Sequence, residues 1–192
     1  MRKLIGLCIL SSSMITGSAF AAGAQTSVLF GANAGYGVAT NGWLKDVSQS
    51  STGDSGNIAG GIFTGYDFAL NQNISFGVEL DGQYAYKVLK QNGNSMNMWS
   101  IPLFATAKLY MPDILGFMLF AKAGYAYNKF TGDTSSFASS NNLWRPVAAA
   151  GFGYQIAQFN IFAQYQQNWL ALDGQNGGFG TVSAGLSYRL PL

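Results

Sequence analysis

The chain has 192 residues, which is enough for one domain. Only 9% of the residues are charged, whereas 15% are aromatic and 25 are glycine. A soluble protein with so few surface charges would tend to self-associate. No apolar run reaches the ~18 residues that a helix needs to cross a bilayer, so a membrane-spanning helix is excluded.

The first residues have the pattern of a secretory signal peptide. They begin with two basic residues, continue with the apolar segment 4–10 (LIGLCIL), and reach a small-x-small cleavage site at residues 19–21 (AFA). We therefore predict a signal peptide over residues 1–21, removed by cleavage before Ala22. Residues 22–192 are predicted to form one barrel domain.

Removal of the signal peptide also changes the chemistry of the chain. It takes away the only cysteine, Cys8, so no disulfide framework is expected in the mature protein. Leu7 stands before Cys8 where a lipidation motif needs a small residue, so no lipid anchor is expected. The basic residues Arg2 and Lys3 leave as well, and the remaining acidic and basic residues balance. We expect no nucleic-acid partner for a chain of this charge.

The rest of the chain alternates between apolar and polar side chains. In Ile74–Tyr86 the Ile, Phe, Val, Leu and Tyr residues fall on one parity, and the Ser, Glu, Asp and Gln residues fall on the other. This alternation places the two sets on opposite faces of a β-strand. Eight segments are predicted as strands on this pattern: Val28–Val38, Ile58–Phe68, Ile74–Tyr86, Met98–Tyr110, Phe117–Asn128, Trp144–Ile156, Phe159–Trp169 and Gly180–Leu192.

The connections between these strands alternate between long and short. The long polar connections are residues 39–57, 87–97, 129–143 and 170–179, and the short ones are residues 69–73, 111–116 and 157–158. This order is typical of an up-and-down barrel with short periplasmic turns and long outer loops. Pro102 cannot donate to a strand ladder, so we predict a local irregularity in the fourth strand.

One face of most strands is apolar, and the opposite face carries glycine, small polar residues and charges. We therefore predict an all-β fold, an eight-stranded antiparallel up-and-down transmembrane β-barrel, apolar toward lipid and polar toward the lumen. A soluble sandwich or a lipocalin-like barrel is the alternative, but its outer face should be polar. Aromatic residues at the two ends of the strands are predicted to form the interfacial girdle: Trp99, Trp144 and Trp169 beside long loops, and Tyr66, Tyr110, Tyr154 and Tyr188 opposite them.

The predicted lumen contains a cluster of charged residues. An eight-stranded barrel is just wide enough to be filled by side chains, and opposite charges buried in it must pair. The inward-pointing residues of this cluster are Asp67, Glu79, Asp81, Lys108, Lys122, Arg145 and Arg189. We predict that these residues mainly pair with one another and so satisfy the buried charges of the lumen. A gating role is the alternative.

Several short motifs resemble the transmembrane domain of the outer membrane protein A family. In chain order they are GIFTGY (61–66), FGVEL (76–80), TAKL (106–109), PV (146–147), GFGY (151–154), YQ (165–166) and LSYR (186–189). They cover nearly the whole mature chain. The resemblance implies a small outer-membrane barrel, and the peptidoglycan-binding domain of long family members is not expected here.

The resemblance also bears on individual residues. Glu79 and Lys108 match the family's interior glutamate and lysine, which exchange partners to gate a narrow pore. The family's arginine partner for the glutamate aligns with Phe162, and its glutamate partner for the lysine aligns with Gly153. The switch is therefore incomplete, and Glu79 is expected to pair with Lys108 or Lys122.

The last strand resembles the insertion signal of outer-membrane barrels. Ser183, Gly185, Tyr188 and Leu190 match its pattern of a polar residue, a glycine, an aromatic residue and an apolar residue. The usual terminal aromatic residue is missing, because the sequence ends Leu-Pro-Leu. This departure bears on the efficiency of insertion rather than on the fold.

The absence of histidine limits the catalytic and metal-binding chemistry that the chain can perform. Ser-His-Asp catalysis and histidine metal sites are excluded, and no catalytic residue, metal or cofactor is predicted. The glycines of GANAGYG lie on a strand rather than at the start of a helix, so they do not indicate a phosphate site.

These observations predict a structural, surface-exposed protein of the Gram-negative outer membrane, with long loops as its contact surface. A low-conductance channel for small solutes is the alternative, and a membrane enzyme such as an acyltransferase or protease is disfavoured by the lack of histidine. The expected partners are outer-membrane lipid, lipopolysaccharide and the insertion machinery. A surface ligand bound through the loops is left open, and we expect a monomer.

Overall fold

The computed structural model describes residues 23–41, 53–54, 56–91, 94–112, 116–132, 142–172 and 175–192. Eight long strands occur within these ranges: β1 (Ser27–Asn41), β2 (Asn57–Ala69), β3 (Ile74–Gln91), β4 (Asn94–Met111), β5 (Phe117–Gly132), β6 (Asn142–Ile156), β7 (Phe159–Leu172) and β8 (Gln175–Pro191). A two-residue strand, Gly53–Asp54, pairs with Gln91 and Lys90 of β3. Among the described residues, no helix is long and apolar enough to cross a membrane. The predicted signal peptide lies outside the described residues.

The strands form one closed sheet. Each strand pairs antiparallel with its neighbour in the chain, and β1 also pairs with β8. Ala32 of β1, for example, lies opposite Ile62 of β2 on one side and Leu186 of β8 on the other. The predicted eight-stranded antiparallel up-and-down barrel is therefore confirmed.

The two faces of the wall differ as the alternation predicts. Large apolar side chains such as Ile62, which is 70% exposed, point outward. Polar and charged side chains such as Glu79, which is 2% exposed, point into the lumen. An apolar outer wall around a polar interior is the arrangement of a barrel whose surroundings are lipid.

Short turns join the strands at one end of the barrel, which we call the turn end. At residues 70–73, the side-chain carbonyl of Asn71 accepts hydrogen bonds from the backbone N–H groups of Asn73 and Ile74, at 2.8 and 2.9 Å. The β6–β7 turn has only two residues, and Ala157 takes a φ of 53° there. The opposite end carries the two longest connections, between β1 and β2 and between β5 and β6, and we call it the loop end.

Two of the predicted long loops are largely strand, so their predicted bounds were wrong. Residues 87–97 continue β3 to Gln91 and start β4 at Asn94. Residues 170–179 likewise belong mostly to β7 and β8. Polar residues interrupt the period-two pattern in these segments, but the backbone ladders continue through them.

A bulge interrupts β3 near the loop end. The register with β4 shifts between Ala85 and Leu89, so that three residues of β3 lie opposite Asn97 alone. Lys87 has a φ of 47° in this bulge, and its backbone N–H donates to the Asn97 side chain at 2.8 Å. The bulge adds two residues to β3, and within it Val88 is turned into the lumen, where it is fully buried.

Pro102 produces a second irregularity, as predicted. The β3–β4 ladder passes from the pair Leu80–Leu103 to the pair Gln83–Ser100 without pairs between them. The same register places Pro102 opposite Asp81. Because proline has no N–H, the backbone carbonyl of Asp81 lacks its ladder donor at this point.

Candidate functional site

The barrel lumen contains the candidate site, and side chains from all eight strands fill it in successive levels. An apolar cluster lies at the loop end, consisting of Ala59, Ala85, Val88, Met96, Met98, Phe130, Leu170 and Phe179. We call it the loop-end plug. It includes side chains that were predicted to lie in polar loops. It separates the rest of the lumen from the loop end.

A polar level lies below the loop-end plug. Gln83 of β3 and Gln166 of β7 face each other across the barrel and exchange two amide hydrogen bonds, of 2.9 and 2.8 Å. Gln83 also donates to the carboxylate of Asp81 at 3.0 Å. The cavity at this level measures about 20 Å³, enough for about one water molecule.

The central level holds an ion pair among aromatic rings. The Lys122 ammonium contacts the Glu79 carboxylate, and both side chains are buried. Four phenylalanine rings have their centroids within 6.0 Å of Lys122 Nζ: Phe63, Phe104, Phe120 and Phe162. A cation at this distance from a ring is attracted to its face. We call the six residues together the aromatic level.

A second ion pair lies nearer the turn end. Lys108 Nζ lies 2.7 Å from Asp67 Oδ2, and both groups are buried. Gly77 makes room for this pair, because a Cβ at that position would lie 2.5 Å from Asp67 Oδ1 and 3.0 Å from Thr106 Oγ1.

The segment before β1 covers the turn end of the lumen. The Arg189 guanidinium lies 5.4 Å from the centroid of the Tyr110 ring and donates from Nη1 to the carbonyl of Gly23 at 3.1 Å. The N–H of Gly23 donates to Gln155 Oε1 at 3.1 Å, and the N–H of Ala24 donates to the carbonyl of Gln72 at 2.8 Å.

The structure places the predicted charged residues as follows. Glu79 was expected to pair with Lys108 or Lys122, and it pairs with Lys122, while Lys108 takes Asp67. Asp81 and Arg189 are buried in the lumen. Arg145 is half-buried and lies on the lumen-facing side of β6. The cluster is therefore divided among several levels of the lumen: Asp81 lies in the polar level, Glu79 and Lys122 in the aromatic level, Lys108 and Asp67 nearer the turn end, and Arg189 at the turn end.

The prediction of the girdle was wrong for one residue, Tyr110. Tyr110 is 2% exposed and lies in the lumen, since it continues the inward parity of Thr106 and Lys108 on β4. The other six residues of the predicted girdle point outward: Trp99, Trp144, Trp169, Tyr66, Tyr154 and Tyr188. Tyr188 packs against Phe159, with the ring centroids 5.2 Å apart.

Three rings of the aromatic level were not singled out from the sequence. Phe63, Phe104 and Phe120 occupy inward parity, where the alternation otherwise places small or polar residues. A large aromatic residue on the polar face of a strand was the available signal. No group of three or more metal-ligating side chains occurs among the described residues.

Comparison with known proteins identifies the family. A family model described as an outer membrane protein beta-barrel domain matches residues 7–189. The chain belongs to this family. It is thus a transmembrane β-barrel of the Gram-negative outer membrane, and the resemblance to the outer membrane protein A family is confirmed at this level.

Solved structures show the same fold at low sequence identity. Neisserial surface protein A is 17% identical with a TM-score of 0.57, over 85% of this chain and 97% of that one. The N-terminal β-barrel domain of OprF from Pseudomonas aeruginosa is 16% identical with a TM-score of 0.52, over 86% and 98% of the respective chains. Comparison with curated protein sequences finds no match.

Proposed function

We propose that this outer-membrane barrel is a non-enzymatic surface protein whose lumen stays closed. The observation that carries the proposal is the aromatic level, where four phenylalanine rings and the Lys122–Glu79 pair fill the centre of the barrel. The cavity beside this level measures about 20 Å³, enough for about one water molecule. A solute could pass only if several buried side chains moved together.

The loop end is the part of the barrel that supports contact with a partner. In an outer-membrane barrel the short turns face the periplasm, so the loop end faces outward. The β3–β4 hairpin extends beyond the bulge, and Gly53–Asp54 adds a short strand to its edge. This ladder gives the surrounding connections a rigid base, and loops on a rigid base are common contact surfaces. Most of the predicted loops 39–57 and 129–143 lies outside the described residues.

Surface labelling tests this orientation. Lys90 is exposed at the loop end, whereas Lys108 and Lys122 are buried. A membrane-impermeant amine reagent added to intact cells should label Lys90 and leave the two buried lysines unlabelled, as read by peptide mass spectrometry. Lys90→Arg is the matched control. Labelling of Lys90 that requires a permeabilised outer membrane would contradict the proposal.

A low-conductance channel is the second candidate function. Glu79, Lys108 and Lys122 border the same cavity of about 20 Å³. Glu79 therefore has two ammonium groups near it, and an exchange of partner from Lys122 to Lys108 is the rearrangement that would accompany gating. Movement of the neighbouring rings would have to follow it.

Conductance in planar bilayers separates the two candidates. The wild-type barrel is expected to be silent, and the triple variant Phe63→Ala/Phe120→Ala/Phe162→Ala is expected to conduct, because it removes three rings of the aromatic level. Ile62→Ala, which changes only the outer wall, is the control and should be silent. Steady unit conductance by the wild type that depends on Lys122 would favour the channel instead.

A further inference from the structure

The polar level of the lumen contains a buried carboxylate that has no basic partner. Asp81 is 2% exposed and forms no ion pair with any described lysine or arginine, whereas Glu79 and Asp67 each contact a lysine. Its Oδ2 atom accepts a hydrogen bond from Gln83 Nε2 at 3.0 Å. Its Oδ1 atom has no hydrogen-bond partner in the described part of the chain. A buried carboxylate without a counter-charge is costly, so a positive charge is expected near it.

The lysines of the lumen do not supply this charge. Each of them is already bound to one carboxylate, Lys108 to Asp67 and Lys122 to Glu79. Arg189 lies at the turn end, where it donates to the carbonyl of Gly23. The buried part of the lumen between the loop-end plug and the turn end therefore has one excess negative charge, since three carboxylates face two ammonium groups: Asp67, Glu79 and Asp81 against Lys108 and Lys122.

A cavity beside Gln83 has unpartnered oxygen atoms on its wall. It measures about 20 Å³, and its lining includes Ser100, Gln164 and Asn168, which are 1%, 5% and 1% exposed. Ser100 Oγ, Gln164 Oε1 and Asn168 Oδ1 have no hydrogen-bond partner among the described residues. Gln83 borders this cavity and also donates to Asp81. The cavity is therefore one side chain away from the unpaired carboxylate.

We propose that the polar level binds one monovalent alkali-metal cation, Na⁺ or K⁺, as the counter-ion of Asp81. Hard cations prefer carboxylate, carbonyl and hydroxyl oxygens as ligands, and Gln164, Asn168 and Ser100 supply the neutral ones. A single positive charge balances the single excess carboxylate. A divalent ion would leave a buried positive charge in its place.

A water molecule in the same cavity would not have this effect. It would leave the charge of Asp81 unbalanced, and it donates at most two hydrogen bonds, which is fewer than the unpartnered oxygens on the wall. A cation attracts all of these oxygens at once. The proposed site therefore combines one carboxylate with neutral oxygens and does not need a cluster of acidic side chains.

Urea titration of the barrel in lipid vesicles tests the proposal. Sodium or potassium is replaced stepwise by N-methylglucamine, an organic cation too large for the cavity, at constant ionic strength. The cation is taken up on folding and released on unfolding. Once the site is saturated, each tenfold increase in sodium or potassium should therefore raise the ratio of folded to unfolded wild type about tenfold.

Three variants connect this dependence to the site. Asp81→Asn keeps the shape of the side chain but removes the charge, so its stability should not depend on the cation. Gln164→Leu removes one neutral ligand and should need about tenfold more cation for the same stabilisation. Asn160→Leu is the matched control, because it removes a buried amide whose Oδ1 also lacks a partner among the described residues but which lies outside the cavity. It should keep the wild-type dependence.

Diffraction with thallium(I) gives a second measurement that needs no variant. Crystals of the wild type grown with this heavy monovalent cation should show an anomalous-scattering peak in the lumen beside Gln164 and Asn168. Heat-modifiable gel mobility checks that each variant is folded. Equal stability of the wild type in all three salts would show that Asp81 is instead held as a neutral acid, and would overturn the proposal. A cation dependence that persists in folded Asp81→Asn, its loss in folded Asn160→Leu, or the absence of a thallium peak from the lumen would also overturn it.

Discussion

The lumen holds two lysine–carboxylate pairs whose surroundings differ. Lys122 and Glu79 lie among four phenylalanine rings, the nearest centroid being 5.2 Å from Lys122 Nζ. Lys108 and Asp67 lie nearer the turn end, beside the buried hydroxyl of Thr106. Aromatic faces attract a cation and repel an anion, whereas a hydroxyl can bond either charge. The same pair of ions should therefore respond differently to loss of a partner at the two levels.

The largest effect is expected from loss of Lys122. Lys122→Met removes the paired cation and leaves the buried Glu79 carboxylate in a cavity that is also bordered by phenylalanine rings. We expect this variant to lower the free energy of unfolding by about 5 kcal/mol, the upper end for a broken buried pair. Urea titration in lipid vesicles measures the change. The double variant Lys122→Met/Glu79→Gln should recover most of the loss, and a double variant as unstable as the single one would contradict this account.

Loss of Asp67 should cost less. Asp67→Asn removes one charge but keeps a side-chain oxygen that can accept from Lys108, and the Thr106 hydroxyl lies nearby. We expect a decrease of about 3 kcal/mol in the free energy of unfolding, the lower end of the range for a broken buried pair. The same titration checks it. A cost equal to that of Lys122→Met would remove the difference between the two levels.

Two glycines of β3 form a matched test of the space beside the Asp67 pair. A methyl group at Gly77 would press on the Asp67 carboxylate and on the carbonyl of Tyr66, so Gly77→Ala should destabilise the barrel by about 2 kcal/mol. Gly82→Ala meets open space and should change the free energy of unfolding by less than about 1 kcal/mol. Equal effects of the two substitutions in urea titration would show that Gly77 does not hold the pair in place.

An effect smaller than that of Gly77→Ala is expected at Tyr110. Its ring lies 5.4 Å from the Arg189 guanidinium. Tyr110→Leu should lower the free energy of unfolding by about 1–2 kcal/mol through loss of the cation–π contact and of packing. Tyr110→Phe keeps the ring and is the control, expected to be near neutral. A similar loss in both variants would assign the effect to the hydroxyl instead.

The eight strands could be predicted because one physical rule governs them. A wall between lipid and a packed lumen forces period-two alternation, and segments such as Ile74–Tyr86 show it directly. The rule also predicts which charges point inward. It fails beyond Tyr86, because the bulge at Lys87 adds two residues to β3 and turns Val88 into the lumen. Nothing in the local composition indicates a left-handed conformation at Lys87.

Partner choice inside the lumen could not be predicted from the sequence. Glu79 and Lys122 lie on β3 and β5, two strands apart, so their meeting depends on how far the strands are staggered around the barrel. The family resemblance pointed equally to Lys108, on the adjacent strand. Tyr110 is a different case, since the parity of β4 already placed it inside and its aromatic character alone suggested the girdle.

The bulge in β3 has a consequence for the use of this barrel as a display scaffold. Between the bulge and the hairpin tip, three residues of β3 pair with three of β4: Leu89 with Met96, Lys90 with Ser95 and Gln91 with Asn94. The register of this ladder is shifted relative to the register of the membrane-spanning part of the same two strands. A foreign peptide inserted between Gln91 and Asn94 would therefore extend a hairpin whose register is already independent of the membrane-spanning strands. Such an insertion should be presented outside the cell while the wall and the loop-end plug keep their pairing.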